Sequence, residues 1–212
     1  MQFRPNEPLN MQANNQCLGV VLAGGLSSRM GENKAHLNHF SAKQQDMLNF
    51  SRQLLHNAGI KDTLISGDNY QVADEFKQLG PLAGIYSVIK KYQPKAVLVI
   101  PVDLPLLTQD ILTNLKLKGE LSGQACFYQD HYLPLYLPNN AYSELFFNQA
   151  FATTNVGNEQ AHNQTSNKRG PSMRKFLTSI PHQVLPLKNS QALFNCNTPE
   201  QWQQAQQLYS KI

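Results

Sequence analysis

The chain has few cysteines, and none of them is placed for pairing. Cys17, Cys126 and Cys196 are far apart in the sequence and odd in number. They form no CxxC pair, and their spacing matches no common metal site. The sequence therefore predicts reduced thiols rather than a disulfide framework, and with them a cytoplasmic location.

Long hydrophobic runs are also absent. No stretch of about 18 apolar residues occurs, which argues against a membrane-spanning helix. The first residues, MQFRPNEPLNMQANNQ, are polar and lack the apolar segment of a secretory signal. We expect a mobile extension over residues 1–17, followed by one domain over 18–212, and Met11 is an alternative start to Met1.

Charge of either sign is scarce. Charged residues make up 15% of the 212, and 18 basic against 14 acidic side chains give a net charge of +4 at pH 7. This mild excess suits a small anionic ligand and does not indicate a nucleic-acid surface. The apolar fraction of 41% is ordinary, and the length suits one well-buried α/β domain.

Short apolar runs alternate with helix-like segments along the chain. The first part predicts strands over 18–22, 63–66 and 96–100, with helices over 41–57, 82–92 and 108–117. The second part predicts short strands in QACFYQ and LPLYLP, joined through Asp130 and His131, and then a helix over 139–150 and a loop over 153–171. A helix over 172–179, a strand in HQVLPL and a helix over 198–209 follow, and Thr198 is expected to cap the last helix. Such alternation is typical of an α/β domain with a doubly wound, mainly parallel sheet.

Polar and glycine residues follow the predicted strands where ligands bind in such a sheet, at the carboxyl ends. Gly24, Gly25, Arg29 and Lys34 come after the first strand, and Asp103 comes after the third. Glycines let backbone N–H groups approach a phosphate, the two cations add charge, and a carboxylate can hold Mg²⁺. Together they suit a nucleoside triphosphate. The alternative is structural: the glycines form a turn, the cations are solvated and Asp103 caps the turn before Pro105.

Four motifs give a more specific indication. They are LAGGLSSRMGENK at 22–34, GPLAGI at 80–85, PVDLP at 101–105 and FNCNTPE at 194–200. In this order they resemble the molybdenum cofactor guanylyltransferases, small enzymes with a Rossmann-like fold. The first motif alone marks only a broad nucleotidyltransferase superfamily, whereas GPLAG together with NCNTPE is much more specific.

The resemblance implies a reaction and a set of partners. Such enzymes transfer GMP from GTP to the terminal phosphate of molybdenum-carrying molybdopterin, and pyrophosphate leaves. GTP and molybdenum-molybdopterin would be the substrates, and Mg²⁺ the cofactor. Molybdenum-insertion proteins and molybdoenzyme-specific chaperones are further partners that the resemblance suggests, with no nucleic acid and no membrane.

The resemblance also assigns residues to roles. Arg29, Lys34 and Asp103 would be catalytic, and Asp103 would bind the metal. Asn195 and Asn197 would lie on the molybdopterin side. The positions that would bind GTP are Leu22, Ala23, Gly24, Gly25, Lys34, Asp74 and Asp103.

The chain departs from the family pattern between the second predicted strand and GPLAG. The segment 66–80 is short, Asp74 is the best match for a second aspartate, and Ser66 stands where the family often has a nucleotide-contacting asparagine. Two alternatives therefore stay open: a cytidylyltransferase acting on the same cofactor, and a weakly active or non-catalytic binding protein. Cytidylyltransferases of this kind tend to have LAAG where this chain has LAGG, which favours GTP. A dinucleotide-dependent oxidoreductase is disfavoured because GGLSSRMG lacks the GxGxxG spacing.

Overall fold

One six-stranded sheet organises the residues that the computed structural model describes, which are 16–24, 34–40, 45–73, 80–152 and 171–211. The strands lie in the order β2-β1-β3-β5-β4-β6. Their bounds are β1 Cys17–Leu22, β2 Thr63–Ser66, β3 Ala96–Pro101, β4 Ala125–Tyr128, β5 His131–Pro138 and β6 His182–Leu185. The predicted extension over 1–17 falls almost wholly outside the described residues, so the domain boundaries stay a prediction.

The sheet is mainly parallel, as the sequence predicts. Strand β1 pairs in parallel with β2 and β3, and β4 pairs in parallel with β6. Strand β5 is antiparallel to both of its neighbours. Its reversal follows from the tight connection after β4, where Asp130 adopts a φ of 63°, because a parallel partner would need a long crossover.

Helices cover both faces of the sheet, which is the predicted doubly wound arrangement. They are α1 Met47–Asn57, α2 Pro81–Tyr92, α3 Gln109–Ser122, α4 Ala141–Ala152, α5 Met173–Ser179 and α6 Pro199–Tyr209. None of the helices in the described ranges is long and apolar enough to cross a membrane.

Strand β3 is buried on both sides, which explains its uninterrupted apolar sequence. Val97 and Val99 pack with buried residues of α2, α4 and α5 on one face. Leu98 and Ile100 pack with buried residues of α1 and α3 on the other. The carboxyl end of this strand therefore lies in the middle of the sheet.

The helix boundaries differ most from the predictions at the start of α1 and the end of α3. Helix α1 begins at Met47 rather than Ser41, because the Asp46 side chain caps it by accepting the Asn49 N–H at 2.8 Å. Helix α3 continues to Ser122 rather than ending at residue 117, and Gly123 ends it with a φ of 65°. Thr108 occupies its N-cap position, but the side chain makes no capping hydrogen bond. The predicted cap of α6 is confirmed: Thr198 and Gln201 form a reciprocal capping box.

Candidate functional site

Three polar side chains from distant parts of the chain meet at the carboxyl end of the central strands. The Lys34 ammonium lies 2.6 Å from Asn197 Oδ1 and 3.4 Å from Asp103 Oδ2. Asn197 Nδ2 in turn donates to Asn195 Oδ1 at 2.9 Å. The structure thus brings together four residues that the sequence assigns to one site.

Backbone contacts explain why Asp103 and the asparagines are adjacent. The Val102 N–H donates to the Leu22 carbonyl at 3.1 Å, which holds the ends of β1 and β3 together just before Asp103. The Cys196 N–H donates to the Asp103 carbonyl at 2.9 Å. The segment containing Asn195 and Asn197 is therefore tied directly to the metal-binding candidate.

The Asp103 carboxylate is largely removed from water. Burial raises its pKa, while the charge and hydrogen bond of Lys34 oppose that shift and the nearby Asn195 amide opposes it further. Even so, Oδ1 is buried and has no hydrogen-bond partner among the described residues. A buried oxygen of this kind is costly unless something satisfies it, so Asp103 fits the role of a metal ligand.

Among the described residues, no dedicated cage of protein ligands surrounds Asp103. Within the described ranges, no group of three or more His, Cys, Asp or Glu side chains is arranged to hold a metal ion. Mg²⁺ bound with nucleotides is commonly held by one or two carboxylates together with phosphate oxygens and water, and Asp103 fits the part of one such carboxylate.

The loops that follow β1 and β2 touch each other. The Ala23 N–H donates to the Ser66 carbonyl at 2.9 Å. A Cβ atom added to Gly67 would lie 3.0 Å from the Gly24 nitrogen, so this approach requires glycine. Leu22 and Ala23 are half-buried, whereas Gly24 is exposed and therefore accessible to a ligand.

Three residues of the predicted site lie outside the described residues: Gly25, Arg29 and Asp74. Their roles stay predictions.

His39 supports the site and is not apparent from the sequence. Its ring is 4% exposed and stacks on Phe50, with the ring centres 3.7 Å apart. Nε2 lies 2.8 Å from the carbonyl of Pro105, and because a carbonyl only accepts, this nitrogen carries the proton. His39 thus joins the segment containing Lys34 to the loop containing Asp103. Only its aromatic neighbours, Phe40 and Phe50, hint at this burial in the sequence.

This histidine predicts a pH dependence of stability. Burial lowers the pKa of His39 from its usual 6.5, and the bond to Pro105 only partly opposes this. His39 therefore gains a proton at a higher pH in the unfolded chain than in the folded one. The contribution of neutral His39 to the free energy of unfolding is complete above about pH 6.5, and it declines as the pH falls toward the pKa of the folded state.

We expect the wild-type free energy of unfolding to drop more steeply than that of His39→Gln between about pH 7.5 and 5, as measured by urea unfolding. Glutamine retains an N–H that can reach a carbonyl, and the titration of Asp103 is common to both proteins. If the free energies of unfolding of the two proteins change with pH in parallel, the predicted effect of His39 on stability is wrong.

Comparison with known proteins shows the chain to be a nucleotidyltransferase. A family model described as the MobA-like NTP transferase domain matches residues 19–152. The chain belongs to this family.

Relatives with assigned names agree with this membership. The molybdenum cofactor guanylyltransferase of Xanthomonas euvesicatoria pv. vesicatoria is 34% identical over 190 residues, which cover 87% of this chain and 91% of that protein. The enzyme of the same name from Shewanella sediminis is 35% identical over 106 residues, which cover 45% of this chain and 53% of that protein.

Solved structures show the same fold. Molybdopterin-guanine dinucleotide biosynthesis protein A from Archaeoglobus fulgidus has a TM-score of 0.67 at 18% identity. The match covers 92% of this chain and 100% of that protein chain. The 2-C-methyl-D-erythritol 4-phosphate cytidylyltransferase from Thermus thermophilus has a TM-score of 0.61 at 12% identity, with coverage of 92% and 100%. At these identities the likeness concerns the fold alone, and it includes enzymes that use different nucleotides.

Proposed function

We propose that this protein transfers GMP from GTP to the terminal phosphate of molybdenum-carrying molybdopterin. A phosphate oxygen of molybdopterin attacks the α-phosphorus of GTP, the bond from that phosphorus to the oxygen bridging to the β-phosphate breaks, and pyrophosphate leaves. The observation that carries the proposal is the meeting of Lys34, Asp103 and Asn197 beside the loop after β1. The full-length likeness to a molybdenum cofactor guanylyltransferase supports the choice of substrates.

In this proposal the protein acts by orienting groups and balancing charge. Lys34 would offer a point charge to a phosphate oxygen, and its hydrogen bonds to Asn197 and Asp103 support this role. Backbone near Gly24 can approach the phosphates because no side chain intervenes. The polar edge formed by the exposed Asn195 and the half-buried Asn197 both donates and accepts hydrogen bonds, which suits a pterin or its phosphate.

Asp103 is the residue that would hold Mg²⁺. When bound, Mg²⁺ supplies positive charge that stabilises the phosphate oxygens during displacement. Asp103 Oδ1 has no competing hydrogen bond among the described residues, whereas Oδ2 faces Lys34. The carboxylate can therefore keep its contact with Lys34 through one oxygen and offer the other to the cation.

Nucleotide choice is the first test of this function. We expect GTP to compete for binding more strongly than CTP or ATP when Mg²⁺ is present, because LAGG and GPLAGI match the guanylyltransferase pattern. Equilibrium competition against a fluorescent GTP analogue measures this preference. A preference for CTP would instead support the cytidylyltransferase alternative.

Turnover is the second part of that test. Incubation with labelled GTP, Mg²⁺ and molybdenum-loaded molybdopterin should yield the dinucleotide and pyrophosphate in equal amounts. Binding of GTP without either product would favour the non-catalytic alternative. Binding of molybdenum-insertion proteins and molybdoenzyme-specific chaperones is also part of the proposal, and it would be measured with the protein that carries the dinucleotide product.

A further inference from the structure

The first turn of α6 reaches back into the candidate site through one side chain. Gln201 Oε1 accepts the Asn197 N–H at 2.7 Å and the Thr198 N–H at 3.1 Å. The contact to Asn197 connects the cap of α6 to the residue that holds Lys34.

Asn197 is consequently held at its backbone and at both ends of its side chain. Gln201 accepts its N–H, Asn195 accepts from Nδ2 at 2.9 Å, and Lys34 donates to Oδ1 at 2.6 Å. The adjacent Cys196 adds a bond from its N–H to the Asp103 carbonyl. The position of the Asn197 amide, and through it that of the Lys34 ammonium, therefore depends on a small set of bonds.

The two halves of the capping box contribute differently to this arrangement. Thr198 Oγ1 accepts the Gln201 N–H at 3.3 Å, a bond that stabilises the helix start and does not touch Asn197. The Gln201 side chain forms the other half, and it bonds Asn197 directly. Replacement of each side chain in turn can therefore separate helix capping from support of the site.

We propose that Gln201 is a positioning residue that holds Asn197 so that its amide oxygen fixes the Lys34 ammonium within the site. The role in transfer rests on the proposed function, whereas the effect on Lys34 does not. When the Gln201 side chain is removed, the Asn197 N–H loses its acceptor and the segment between Phe194 and Thr198 shifts. Lys34 then loses its 2.6 Å hydrogen bond to Asn197 Oδ1.

The direct test measures Lys34 without any reaction of the enzyme. The rate at which acetic anhydride acetylates the Lys34 amine is followed by mass spectrometry, with the exposed Lys118 of α3 as the internal reference. Gln201→Ala should raise the Lys34 rate severalfold relative to Lys118. Thr198→Ala should match wild type, although it also loses half of the cap, and Gln201→Glu should retain the wild-type rate because it keeps an acceptor. Equal rates for Gln201→Ala and Thr198→Ala would overturn the proposal.

The kinetic test asks whether this positioning affects transfer. Gln201→Ala should lower kcat by about tenfold with little change in KM for GTP, the scale on which supporting residues act, and Gln201→Glu should restore it. Thr198→Ala, assayed at a temperature where thermal unfolding shows it folded, should keep the wild-type kcat. In an Asn197→Ala background, Gln201→Ala should add no further loss, because the amide that it positions is gone. An additive loss would overturn the proposal.

The two tests separate failure of this inference from failure of the proposed function. If wild type transfers no GMP, the proposed function fails, and the acetylation rates still decide whether Gln201 positions Lys34. If wild type is active and the Lys34 acetylation rates of Gln201→Ala and Thr198→Ala are equal, the proposed function stands and the positioning role falls.

Discussion

Asp103→Asn is expected to lower metal-dependent GMP transfer by roughly 10³-fold or more, since the Mg²⁺ that Asp103 would hold contributes several kcal/mol by stabilising charge on the phosphate oxygens. Asparagine has nearly the same shape, so the substitution removes the charge without creating a cavity. Single-turnover transfer at saturating GTP over a range of Mg²⁺ concentrations measures the loss. Excess Mg²⁺ should not restore the rate.

The same variant should remain folded. Burial raises the pKa of Asp103, so folding disfavours its ionised form even with Lys34 nearby. A carboxyl whose pKa is raised by folding stabilises the fold at low pH, and this contribution is lost as the pH rises through the pKa of the folded state. The negative charge of Asp103 is therefore unfavourable for folding near neutral pH. We therefore expect the free energy of unfolding of Asp103→Asn at pH 7 to equal or exceed that of wild type. An unfolded variant, or one with full activity, would contradict the metal-ligand assignment.

Lys34→Ala is expected to slow transfer by roughly 10²–10³-fold, the scale seen when one preorganised donor is removed from a site shielded from water. The Lys34 side chain is 15% exposed and contacts both Asp103 and Asn197, so its charge is not that of a solvated loop. Single-turnover transfer at saturating GTP and Mg²⁺ isolates the chemical step. KM for GTP should change less than kcat if the ammonium acts mainly in the transition state.

Lys61→Ala is the matched control for this experiment. Lys61 is exposed and precedes β2, so it lies at the end of the sheet opposite the site. Removal of a solvated lysine should alter stability by less than about 0.5 kcal/mol and leave transfer unchanged. If Lys34→Ala behaves like Lys61→Ala, then Lys34 is a surface charge and the phosphate-binding assignment is wrong.

The strands could be predicted well from local sequence. A strand buried on both faces is a continuous apolar run, and AVLVI at 96–100 is such a run and forms β3 together with Pro101. The run TLIS coincides with β2. The predicted start of α1 at Ser41 is wrong, because the helix begins at Met47, where the Asp46 side chain caps it.

The candidate site could be predicted in part for a similar reason. Strands that run in parallel bring their carboxyl ends to one edge, so the order of motifs already indicates that Lys34 and Asp103 are near each other. The contact between Lys34 and Asn197 spans 163 residues and depends on how α6 packs beside the sheet. No pattern of neighbouring residues predicts that Lys34 and Asn197 come into contact.

The sequence by itself determined the alternation of strands and helices, the glycine loop after β1 and the presence of a carboxylate after β3, because apolar periodicity and turn chemistry act over a few residues. Only the tertiary structure decided that β5 would lie between β3 and β4, that His39 would be buried against Pro105, and that Gln201 would hold Asn197. Those features arise from packing between segments far apart in the chain, where the partner of each group is chosen by the fold as a whole and not by its neighbours in sequence.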